Sequence, residues 1–131
     1  MRISDLFKSQ EDRAKLSHLR NLIAVAFADG KIEDSELASI AIVMSREGMT
    51  ENDLERCMKH PKGITFTQPS TDEERLRYLT DMVLVMMSDG DIDHNEMMLC
   101  KATAIALGYR HEIIDALILK IITDLKNVMN H

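Results

Sequence analysis

Phe27-Ala28-Asp29-Gly30-Lys31-Ile32-Glu33-Asp34-Ser35-Glu36 returns, at an offset of sixty residues from Gly30 to Gly90, as Met87-Ser88-Asp89-Gly90-Asp91-Ile92-Asp93-His94-Asn95-Glu96. Both copies read Asp-Gly-x-Ile-x-x-x-Glu between two apolar runs. A glycine at the second place supplies the left-handed residue that ends a helix at little steric cost. Acids just beyond it suit the first turn of a following helix. Each copy is therefore a helix–turn–helix junction, with Ile32 or Ile92 expected to plug the turn into the core and Glu36 or Glu96 at the third helical position. Asp93 to Glu96 has capping-box spacing, whereas Glu33 is a poor N-cap. Asp29 and Asp89 stand at a helix C-terminus, where the dipole prefers cations, and no local rule explains them.

Working outward, the ungapped offset carries Asp12, Leu16, Leu19, Val25, Asp29, Gly30, Ile32, Glu36 and Gly48 onto Asp72, Leu76, Leu79, Val85, Asp89, Gly90, Ile92, Glu96 and Gly108. These are the cap, core and stop positions of a three-helix unit. The reading is an all-α single domain over 10–130. It comprises repeat one at about 10–60, a linker at about 61–70 marked by Pro61 and Pro69, and repeat two at about 71–130. Residues 1–9 are expected to be a short helical or irregular lead-in, and the first helix to run from Glu11 to about Asp29 with Leu16, Leu19, Ile23 and Ala26 inward and Phe27 widening the stripe. The second helix starts near Asp34 with Leu37, Ile40, Ala41 and Met44 inward, and Thr50 caps the third, Glu51 to about Lys59. A fourth helix carries Leu76, Leu79, Met82, Val83 and Met86, and a fifth spans Asp93 to Leu107. In the sixth, His111 to Met129, apolar residues fill half the circumference. Two neighbours wrapping it, or a homodimer contact through 111–129, would use that width. Ile64-Thr65-Phe66-Thr67 is too short and isolated to start a sheet.

With 131 residues, 45% hydrophobic, the chain suits one domain. Ten Met and no Trp imply an aliphatic core in which Met fills gaps. A net charge of −6 with no basic run argues against nucleic acid and anionic membranes. No apolar run has the length of a membrane span, so insertion is not expected. Cys57 and Cys100 are isolated, and Met1-Arg2-Ile3-Ser4-Asp5 has no secretory pattern. A cytoplasmic protein with two reduced, packed thiols is expected.

The second half of an EF-hand loop also reads Asp-Gly-x-Ile-x-x-x-Glu. With Asp29 or Asp89 at the fifth loop position, the first and third positions fall on Val25 and Phe27, or Val85 and Met87. Apolar residues at two obligatory oxygen positions exclude an ordinary EF-hand in both copies. Any cation would need carboxylates from outside the loop.

The doubled motif, each copy following an apolar helix that ends in Ala/Ser-Asp-Gly, resembles the TerB-like superfamily of tellurite resistance over about residues 10–130. The resemblance implies two pseudo-symmetric three-helix repeats around two central helices. It also implies a non-enzymatic cytosolic role in bacterial stress or metal-resistance systems, with the acidic turns as a metal-binding or partner-docking site. Domains of this type also occur fused to co-chaperone modules. Asp29, Gly30, Ile32, Glu36, Asp89, Gly90, Ile92 and Glu96 match the motif. Tellurite is an anion, and an acidic chain is not suited to bind it directly.

Catalysis has no support in the sequence. There is no Ser-His-Asp pattern, no phosphate loop and no His pair at ligand spacing. His18, His60, His111 and His131 are scattered and are read as surface or linker residues; His94 is read as a solvated first-turn residue. The carboxylates lie on helix starts, without an apolar pocket to raise a pKa. Two readings stand: a divalent-cation module carried by Asp29, Glu33, Glu36, Asp89, Asp93 and Glu96, and a helical domain whose acidic turns dock a basic protein partner without metal. The distance between the turns separates them.

Overall fold

Six α-helices and one short 3-10 turn make up the described residues, 3–130, and no strand occurs among them. The structure is a computed structural model, with side chains described from residue 9. In order the helices are α1 (Ile3–Ala26), α2 (Asp34–Glu47), α3 (Glu51–Lys59), α4 (Asp72–Met87), α5 (His94–Ala106) and α6 (Ile113–Met129), with the 3-10 turn at Pro61–Gly63. α1 is continuous from Ile3, so the lead-in takes its helical form and the first helix begins before Glu11; no Gly or Pro interrupts the chain there. Met1 and Arg2 lie outside the described residues.

α1 and α4 are central. α1 packs on α2, α3, α4 and α5, and α4 on α1, α2, α5 and α6. Leu19, Leu22, Val25, Leu79, Met82 and Met86 are almost wholly buried between them and their neighbours. α1 stops at Ala26, so Phe27 lies in the turn and is half exposed, not part of the stripe. Cys57 and Cys100 are buried, and burial raises their thiol pKa values to about 11 and about 12. Thr50 caps α3 as expected, accepting from the Asp53 N–H at 3.3 Å. Thr71 caps α4 in the same way, accepting from Glu74 N–H at 3.1 Å. The segment after α3 is tied down along α1, since Thr67 N–H donates to Ser17 Oγ at 3.0 Å.

The inward face of α2 differs from expectation. Glu36, Ile40 and Val43 are buried, whereas Leu37 is 47% exposed and Ala41 is exposed. The helix is rotated so that an acidic side chain occupies the first inner position. α5 repeats this with Glu96, Cys100 and Ala104. α6 buries only Ile114 and Leu117, so neighbours do not wrap its apolar half-circle; Leu119, Leu125, Val128 and Met129 are exposed.

Candidate functional site at the joined turns

Gly30 and Gly90 take φ of 97° and 87°, the left-handed conformation the junction requires. Asp29 Oδ1 accepts from Lys31 N–H at 3.3 Å, and Asp89 Oδ1 accepts from Asp91 N–H at 3.0 Å. Both aspartates thus close the turn over the glycine, a local role that helix-end electrostatics did not suggest. Ile32 packs against the core, but Ile92 is 45% exposed, so only the first copy is plugged.

The two turns adjoin. Asn95 Nδ2 of one reaches Ala28 O of the other at 3.5 Å. Together they line an acidic mouth of about 410 Å³ formed by Asp29, Lys31, Glu33, Asp89, Asp91, Ile92, Asp93 and His94. Lys31 bridges to Glu33 at 3.3 Å. Asp93 Oδ2 accepts from the N–H groups of Asn95 at 2.9 Å and Glu96 at 3.2 Å, capping α5. Asp93 N–H donates no reciprocal bond to the Glu96 carboxyl among the described residues, so the expected capping box is only half made.

Close to the mouth, Glu36 and Glu96 are 0% and 1% exposed, and their carboxyl groups lie against one another. Glu36 Oε1 also accepts from Glu33 N–H at 2.9 Å. Oε2 of each glutamate is buried without a partner. Burial is the main cause that pushes the Glu96 carboxyl up to about 8. The Glu36 contact adds to it, as do the charges of Asp29 and Asp89. Burial raises Glu36 as well. Burial and mutual contact thus favour one proton shared by the two carboxyls over a doubly ionised pair. The expectation that no apolar setting would raise a carboxyl here is thereby corrected.

Of the six residues anticipated, Asp29, Glu33, Asp89 and Asp93 line the mouth, whereas Glu36 and Glu96 are buried and do not line it. No three His, Cys, Asp or Glu side chains among the described residues stand in a group that could hold a metal ion as they are placed. The burial of the two glutamates was readable in retrospect. Glu36-Ile40-Val43 and Glu96-Cys100-Ala104 are helical stripes, each opening on an acid.

A second buried polar cluster was missed. His18, read as a surface residue, is 3% exposed. It bonds Asp81 Oδ2 at 2.9 Å and stacks on Tyr78 with ring centroids 3.8 Å apart and planes 2° from parallel. Arg46 Nη1 donates to Asp81 Oδ1 at 2.9 Å. Burial, partly opposed by the Asp81 contact, lowers the His18 pKa below its ordinary 6.5. Burial works to raise the Asp81 carboxyl, but the bonds from Arg46 and His18 outweigh it and hold Asp81 low. The clue was that His18 continues the buried series Ala14, Leu22 and Val25. His60 and His111 are exposed as expected, and His131 lies outside the described residues.

No family model, curated protein or solved structure matches the chain.

Proposed function

We propose that the chain is a non-enzymatic TerB-like module whose joined acidic turns take a divalent cation, in a cytoplasmic stress or metal-resistance role. The observation that carries this reading is the buried pair Glu36 and Glu96. Each keeps one oxygen without a partner, within reach of the charges of Asp29 and Asp89 from the two turns. A hard cation prefers such oxygen donors, and a single turn supplies too few. Glu36 and Glu96 would hold the ion together with Asp29 and Asp89.

The TerB-like part of the proposal draws on the offset of the motif. Glu36 faces Glu96, Asp29 shares a mouth with Asp89, and His18 stacks on Tyr78; each pair is related by sixty positions. Packing partners exchange in the same way, α1 taking α2, α3 and α5 where α4 takes α5, α6 and α2. Two three-helix repeats about a two-fold axis between α1 and α4 account for all of these at once.

The test is a thermal-shift series with millimolar calcium, magnesium, manganese or zinc. Wild type should gain melting temperature through binding to the folded state. Asp29→Asn with Asp89→Asn, and separately Glu36→Gln with Glu96→Gln, should abolish the gain. No gain with any of the four ions ends the metal reading. The alternative is docking of a basic partner at the turns without metal. It is favoured by the Asp29 and Asp89 turn bonds, which already employ both side chains.

A further inference from the structure

The helices α2, α4 and α6 leave a groove of about 770 Å³ between them. Its walls carry Ile42, Leu84, Leu125 and Val128, which are 70%, 43%, 58% and 72% exposed. A single exposed apolar side chain needs no explanation, but four from three helices facing one trough form a patch of the kind that binds. Three charged residues line it, Arg46, Asp81 and Asp124. Arg46 lies on the wall, yet its guanidinium is engaged by Asp81. Asp124 on α6 forms no ion pair among the described residues. At one end the groove runs along Met87 and Ser88, and the next residue, Asp89, belongs to the acidic mouth.

From this arrangement we infer that the groove seats an amphipathic helix of a partner protein. That helix has an apolar stripe along the trough, Lys or Arg beside it over Asp124, and a basic end lying against the mouth. Recognition would be of the helix-in-groove kind, with anchors at i, i+3 or i+4, and i+7. Burial of the stripe supplies affinity, and the acids select the charge and direction of the helix. A second copy fits less well, because each chain carries −6 and a two-fold contact on α6 would bring the Asp124 wall against its own copy. The inference does not depend on a bound cation.

The probe is a fluorescein-labelled peptide of about 16 residues, helical by design, with Leu at i, i+4, i+7 and i+11 and Lys elsewhere, followed by anisotropy in EDTA. Saturable binding is expected. Ile42→Gln with Val128→Gln should weaken it about tenfold or more. Asp89→Asn with Asp124→Asn should weaken it about threefold and reduce its salt sensitivity. All four positions are on the surface, and circular dichroism establishes that the variants are folded. A peptide with Glu in place of Lys should not bind. The inference is overturned by no binding at about 100 µM, by equal binding of the Glu peptide, or by affinity indifferent to the Ile42 and Val128 substitutions. Sedimentation of the free protein as a dimer that these substitutions dissolve overturns it too, and assigns the groove to a second copy.

Discussion

Burial and Glu36 both penalise the charged form of Glu96, and that gives stability a defined pH dependence. The carboxyl rises from an ordinary 4.5 to about 8 on folding. Its contribution is therefore complete below about 4.5 and is lost as pH rises through about 8, with a slope of at most about 1.4 kcal/mol per pH unit. Glu96→Gln keeps the shape and a donor toward Glu36 without the titration. The variant should gain about 1–3 kcal/mol over wild type at pH 8 in urea melts, and much less at pH 5. His18 works in the opposite sense: with its pKa lowered on folding, its contribution is complete above 6.5 and is lost as pH falls below that value. Gly90 is a simpler case. A Cβ there would meet nothing within 4 Å, so the cost of Gly90→Val is backbone strain alone at φ 87°, about 1–2 kcal/mol in a denaturant melt.

The helices themselves were largely legible. The junction glycines, the Thr50 cap and the start of α2 at Asp34 fall where turn chemistry and capping put them. Faces were harder to read. A pattern search for apolar spacing takes Leu37 and Ala41 as inner residues and sets Glu36 outside, because an ionised glutamate does not belong in a core. Burial that favours the uncharged form of the Glu36–Glu96 pair removes that objection, and the stripe shifts by one residue. The difference is measurable: Ile40→Ala should cost about 2–4 kcal/mol, and Leu37→Ala less than about 1. For α6 the sequence shows the broad apolar arc but not its cover, since a hydrophobic surface looks the same whether it faces a core or an unfilled groove. The candidate site was legible in its membership and not in its layering. Spacing names all six acids, but only the packing of one turn on the other separates the buried pair Glu36 and Glu96 from the acids that line the mouth.

Across the whole molecule, α1, α2 and α4 are joined at one point by His18, Arg46 and Asp81. Asp81→Ala leaves a buried imidazole and a guanidinium without their acceptor, so a loss of about 3–5 kcal/mol is expected in a calorimetric or chemical melt. The same cluster has a spectroscopic use. The chain has two tyrosines and no tryptophan. Tyr78 lies face to face with an imidazole, and the Tyr109 hydroxyl donates to the Asp72 carboxylate at 2.6 Å. Both arrangements drain the excited state of a phenol, so the native protein should be nearly dark in the ultraviolet and brighten as the helices part. A label-free signal of that kind reports from both central helices and their neighbours, and Tyr109→Phe isolates the part that comes from where α1 meets α4.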